Sequence, residues 1–199
     1  MSDSSPQWWK SVHAALAVGK QLGATNREFN SACDHIAQLL DDSSTMLERE
    51  SHGTSTFLAI TALEETAKVH MGLYRRSSND VKRSKDPLYS HEQKHRIALG
   101  PTVAMGSRLQ AAIGEHRMHK LIELAGSGGF IPLREASLYV QQVGDLLHTP
   151  LEVTPRQVAR EVLLLAVEVF DDALVGYTEH TYSLGAKTDS IFNRWASEA

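Results

Sequence analysis

TSTFLAITALEETAKVHMGLYRR, residues 54–76, is the stretch on which the fold turns. Its apolar residues recur at helical rather than alternating spacing. At about 100° per residue, Ile60, Ala67 and Met71 define a face to be buried, and Glu64 and Lys68 fall at its edge near Phe57. Two opposite charges therefore point inward from an otherwise apolar helix. On an exposed surface such a pair at i,i+4 would add only a few tenths of a kcal/mol. Taken out of water, charges cost several kcal/mol unless other polar groups meet them, so this spacing predicts a polar cluster where the helix is packed. Glu65 projects to a different side, toward Leu58 and Val69, and is given no share in that cluster.

Working outward, the neighbouring segments also read as helices. Ser5-Pro6 has the form of a helix start, and Trp9, Val12, His13 and Leu16 continue it until Gly23. A second helix begins near Thr25 or Asn26, buries Phe29, Cys33, Ile36, Leu40 and Leu47, and closes at Ser51-His52-Gly53. After the long third helix, SSNDVKRSKDPLY (residues 77–89) reads as an exposed polar loop. Ser90 with Gln93 resembles a capping box for a fourth helix, which Gly100-Pro101 should break before a fifth segment from Thr102 to about Ala125. GSGGF, residues 126–130, reads as a linker. Beyond it come a short segment, LREASLYVQQV, a loop through His148-Thr149-Pro150, and a proline-led helix from Thr154-Pro155 to about Thr181. A last short amphipathic helix carries Ile191, Phe192 and Trp195. No convincing strand or internal repeat is visible, so the expectation is one all-α domain over residues 1–199, a bundle of about six to eight helices.

Composition narrows the function classes. A chain of 199 residues with 42% hydrophobic content can bury one good core. The formal charge of −4 argues against a wholly basic surface for nucleic acid and restricts any RNA contact to a local patch. One cysteine, Cys33, excludes an internal disulfide and a multi-thiolate metal cluster, and its expected place is the core. With no secretory leader and no apolar run near the roughly 18 residues of a membrane span, a cytoplasmic protein without membrane contact is expected.

The second constellation of interest is SHEQKHR, residues 90–96. If Ser90 caps a helix, His91, Lys94 and His95 share one face and could meet Glu64 and Lys68. Histidine moves protons near neutral pH, and a lysine beside it stabilises negative charge on a phosphate, a combination that suits phosphodiester cleavage without metal or cofactor. The bland alternative is a solvated cluster at a helix start. Arg134 offers a phosphate-binding fork, and Tyr139 a hydrogen-bond donor or a packing group. A zinc-type site from His91, His95 and a glutamate is a further alternative. His13, His35, His116 and His119 show no partner spacing.

These motifs in this order resemble one known family. A-x-E-E-x-x-K at 62–68, H-x-x-K at 91–94, R-x-x-x-L-Y around Arg134 to Tyr139, and a final long helix from Pro150 onward look like the AbiV abortive-infection family, of the HEPN helical superfamily. The resemblance covers about residues 30–175. It implies a bacterial antiphage protein that shuts down gene expression, in a superfamily rich in metal-independent ribonucleases that often act as homodimers. Under that reading His91 is the general acid or base, Lys68, Lys94, His95 and Arg134 bind the RNA phosphate, Glu64 orients or accepts a proton, and Tyr139 assists. The arginine followed four to six residues later by histidine that HEPN nucleases commonly use has no counterpart in this sequence, where Arg134 instead meets Tyr139. Either the site is rebuilt from Glu64, Lys68, His91 and Lys94, or the bundle is a non-catalytic module that binds a phage or translation protein.

Overall fold

The computed structural model describes residues 6–76, 81–100 and 107–198. The expected cap at Ser5, the break at Pro101 and the start at Thr102 lie outside the described residues. Among those described, ten α-helices and one short hairpin follow in order: α1 (Gln7–Ala17), α2 (Asn26–Glu48), α3 (His52–Leu73), α4 (His91–Ala98), α5 (Ser107–Ile113), α6 (Glu115–Gly126), α7 (Phe130–Ala136), β1 (Gln141–Val143), β2 (Leu146–His148), α8 (Pro150–Val153), α9 (Arg156–Leu174) and α10 (Glu179–Ala196).

Two helices form the centre. α3 buries 13 of its 22 residues and α9 buries 13 of 19, so both are enclosed on nearly every side. α3 packs against α2, α9 and α4, while α10 covers α2 and α9 from outside. The close approach of α2 to α3 is built from small polar residues, with Ser43 Oγ donating to the Ser55 carbonyl at 2.9 Å. Capping is local and readable. Thr25 accepts from the Glu28 amide at 3.2 Å, and the Glu28 carboxylate accepts from the Thr25 amide at 3.1 Å, so α2 starts where the sequence placed it. Cys33 is fully buried, and burial together with the charge of Asp34 pushes its thiol up to about 12.

Several expectations are corrected. α1 stops at Ala17 rather than near Gly23, because the chain turns extended at Val18. The 77–89 stretch is not wholly exposed: Leu88 is fully buried, and Asp86 accepts from the buried Arg75 Nη1 at 2.9 Å and from the Leu88 amide at 2.9 Å. Arg75 in turn donates to the Ala15 carbonyl at 2.7 Å, so this ion pair ties the loop to the ends of α1 and α3. GSGGF is a tight turn rather than a linker, with Gly126 ending α6 and buried Phe130 opening α7. A side chain at Gly129 would overlap Leu124, which explains the residue type in terms of close approach. His148–Pro150 was expected as loop, but Thr149 caps the single-turn α8. The final helical stretch divides at Gly176, φ +89°, into α9 and a full-length α10, where one run to Thr181 and a short tail were expected. The count therefore exceeds six to eight.

The hairpin was also unforeseen. Gln141 pairs with His148, Gln142 with Leu147 and Val143 with Leu146, antiparallel. Strands of three residues are too short to leave a period-two signature.

Long-range ion pairs fasten α5 and α6 to α9. Arg108 of α5 meets Glu168 and Asp171 of α9 and Asp189 of α10, the last at 2.6 Å. Arg117 of α6 donates to both carboxylate oxygens of Glu161, with Nε at 3.0 and 3.1 Å.

The loop anchor is testable. Asp86→Ala leaves the buried Arg75 guanidinium uncompensated and should lower unfolding free energy by about 3–5 kcal/mol. Arg75→Met with Asp86→Leu should recover much of that loss in urea denaturation, whereas equal loss in both variants would assign the effect to something other than the ion pair.

Candidate functional site

The site grows from one side chain. Glu64 stands in the middle of α3 and is 2% exposed, facing the first turns of α4. Ser90 starts α4 by accepting from the Gln93 amide at 3.5 Å, and helical spacing then puts His91, Lys94 and His95 on the face turned to α3. Lys94 Nζ donates to Glu64 Oε2 at 2.6 Å. His95 Nε2 lies 2.9 Å from Oε1, and His91 Nδ1 lies 2.8 and 2.7 Å from Oε1 and Oε2. One carboxylate thus receives three side chains from one neighbouring helix.

A fourth group arrives from α7. Arg134 Nε is 3.9 Å from Glu64 Oε1, and its guanidinium lies over the Phe57 ring at 4.5 Å. That nitrogen is buried with no hydrogen-bond partner among the described residues. The tight turn after α6 sets this geometry, because it also seats Phe130 edge-on against the His95 ring at 5.6 Å. Phe57 and Phe130 hold the polar groups in place from the apolar side.

Electrostatics follow from the packing. Burial alone would raise the Glu64 carboxyl, but hydrogen bonds and charge from His95 and Lys94 more than offset it and hold the group down at about 2. Glu64 is therefore a fixed anion and a hydrogen-bond acceptor. An imidazole nitrogen this close to a carboxylate carries the proton, so His91 presents Nδ1–H to Glu64 and keeps Nε2 for another partner. The His91 side chain is 46% exposed, whereas His95 is closed off and Lys94 nearly so.

The sequence-predicted residues separate into two groups. Glu64, His91, Lys94 and His95 come together, with Arg134 at the margin. Lys68 does not join them: it pairs with Glu65 at i,i+3, is 25% exposed, and lies 5.7 Å from the Tyr89 ring. The rotamers select the nearer acid on the outer side, and the expected Glu64–Lys68 pair is not formed. Tyr139 is 60% exposed beyond the end of α7, so it stands outside the cluster. His95, expected to meet a ligand, is instead enclosed between Glu64 and Phe130. Toward the zinc-type alternative, His91 and His95 both lie against the Glu64 carboxylate, and among the described residues no group of three or more acids, histidines or cysteines is placed to hold a metal ion. No helix among the described residues is long and apolar enough to cross a membrane.

The fold and site together define an all-α bundle organised around a buried carboxylate with a half-exposed histidine at its mouth. The AbiV model, of the HEPN class, matches residues 26–171, which is most of the chain and spans every residue of the cluster, and the protein belongs to the AbiV family. No curated protein and no solved structure matches it.

Glu64→Gln removes the anion while keeping the shape, leaving Lys94 buried without its counter-charge, and should cost about 3–5 kcal/mol of stability. The pH dependence has a definite sign. Because folding depresses the Glu64 pKa from 4.5 to about 2, its contribution is complete above the unfolded value and is lost as pH falls through that interval. Denaturation midpoints measured across that range should fall less steeply for Glu64→Gln than for the wild type; parallel curves would contradict the assignment.

Proposed function

We propose that this AbiV-family protein acts in bacterial antiphage defence as a metal-independent endoribonuclease, with His91 as the proton-moving group. One observation carries the reading: a buried carboxylate lies 2.7 Å from Nδ1 of a half-exposed imidazole, the arrangement by which a histidine is oriented to serve as a base. In this scheme His91 Nε2 takes the proton of an RNA 2′-hydroxyl. The oxygen attacks the adjacent phosphorus, and the 5′-oxygen leaves with a proton drawn from water, giving a 2′,3′-cyclic phosphate and a free 5′-hydroxyl. Arg134, with its fork at the rim, stabilises the charge that develops on the phosphoryl oxygens. Glu64 orients and is not itself the base, since a carboxyl held near 2 is a poor proton acceptor at neutral pH. Lys94 sets the charge of Glu64 from below. Shutdown of gene expression follows from cleavage of cellular or phage RNA.

A second reading is a non-catalytic module that binds a phage or translation protein. It is favoured by the depth of Glu64, Lys94 and His95, with Lys94 and His95 both bonded to the one carboxylate as in a structural network.

Purified protein incubated with cellular RNA and a chelator should yield fragments ending in cyclic phosphate. His91→Ala should reduce the rate by roughly 10²–10⁴-fold with little change in stability, the usual contribution of a general base. Intact RNA under all conditions, or equal cleavage by His91→Ala, would favour the second reading. Plaque assays with the same variants carry the comparison into cells.

A further inference from the structure

Lys68 lies outside the Glu64 cluster, but it has company. Besides pairing with Glu65, its Nζ stands 5.7 Å from the centre of the Tyr89 ring, and the Arg83 guanidinium carbon stands 4.6 Å from the same centre. One exposed phenol ring thus gathers two cations from separate elements, a lysine of α3 and an arginine of the segment that leads into α4. The negative face of the ring attracts them both. Each keeps donors that the ring does not occupy: a guanidinium over a ring still presents its edge, and an ammonium has three N–H groups, of which Glu65 takes one.

The charge around this ring is one-sided. Lys82, Arg83 and Lys85 are exposed within four residues, and Asp86, the only acid from residue 81 to residue 91, is buried against Arg75 and offsets none of them. The same Arg75–Asp86 pair and buried Leu88 pin the segment, so its cations are presented from a fixed ridge. In a chain of net charge −4, such a patch is where a polyanion is attracted.

The place of the patch relative to His91 is set twice over. Along α3, Lys68 follows Glu64 by four residues, about 6 Å of helix rise. On the facing segment, Tyr89 precedes His91 by two residues, a span of at most about 7 Å. The contacts Glu64–His91 and Lys68–Tyr89 are therefore two rungs between the same two segments, one helical turn apart. Successive phosphates of a single strand are separated by a similar step.

We infer that Lys68 and Arg83, assembled on Tyr89, form a second phosphate subsite, which holds the phosphate next to the one cleaved at His91 in a single RNA strand. The inference rests on the ribonuclease reading for the identity of that strand. It gives Lys68 a phosphate contact at the neighbouring nucleotide instead of at the reacting one.

The test is binding of the full-length protein to a short RNA carrying 2′-O-methyl groups throughout, which cannot be cleaved by 2′-attack, followed by fluorescence anisotropy from about 50 to 200 mM salt. Arg83→Gln and Lys68→Gln should each weaken binding roughly fivefold and lower the slope of log K against log salt by about one, the loss of one phosphate contact. Tyr89→Leu, which removes the ring, should weaken binding likewise, and Tyr89→Phe, which keeps it, should not. Lys120→Gln, at an exposed lysine of α6, should bind as wild type does. No binding by the wild type overturns the inference, as do losses in Arg83→Gln and Lys68→Gln no larger than that in Lys120→Gln. Cleavage of unmodified RNA, measured in parallel, separates the subsite from the reading beneath it. The expected binding pattern in a protein that cleaves nothing keeps the strand-holding site and removes the nuclease; a wild type that cleaves, with Arg83→Gln and Lys68→Gln binding and cleaving equally well, removes the subsite alone.

Discussion

The Glu64 carboxylate is the constraint around which the bundle is arranged. A single anion at the middle of one of the two central helices must be met by donors, and it is met by Lys94, His95 and His91 from α4. Their demands fix how α4 lies on α3, because a shift of one residue along α4 would turn the three side chains to another face. Removing ions from water is costly, so what the cluster contributes is a unique arrangement more than net stability. The apolar packing around α3 and α9 supplies the driving force, and the polar contacts select among the ways those surfaces could meet.

This arrangement also divides labour among chemically similar groups. Lys94 and His95 are committed to the carboxylate and closed off from solvent, while His91 touches the same oxygens yet remains half open. Arg134 occupies the boundary, stacked on Phe57, its Nε without a hydrogen-bond partner among the described residues. Burial, rather than residue type, decides which of these side chains is available to anything arriving from outside. The family to which the chain belongs is defined over this same region, residues 26–171.

Much of this was legible in the sequence, and the parts that were not share a cause. Glu64 betrayed itself as a charge on an apolar arc, and the Ser90 start made His91, Lys94 and His95 one face. Lys68 was misjudged because periodicity locates a Cβ but does not choose between acids at i−3 and i−4, and the choice of Glu65 is made by the rotamer. Asp86 looked solvated among its charged neighbours until Arg75, eleven residues earlier, was seen to reach it. Phe130 was hidden behind a glycine run in which Gly129 packs closely on Leu124 and Gly128 takes a positive φ of +82°. The hairpin was below the length at which alternation can be recognised, and the partners of Arg108 and Arg117 lie too far along the chain for any spacing rule.

Those two arginines have a mechanical meaning. They stand on either side of Gly114, where the chain bends with φ +82°, and they grip α9 at Glu168 and Glu161, seven residues or about two turns apart. One attachment would leave the α5–α6 elbow free to swivel about its point of contact. Two, spaced along a rigid rod, resist torsion as a pair of rivets does, so the angle of the elbow is dictated by α9 and not by the glycine at its corner.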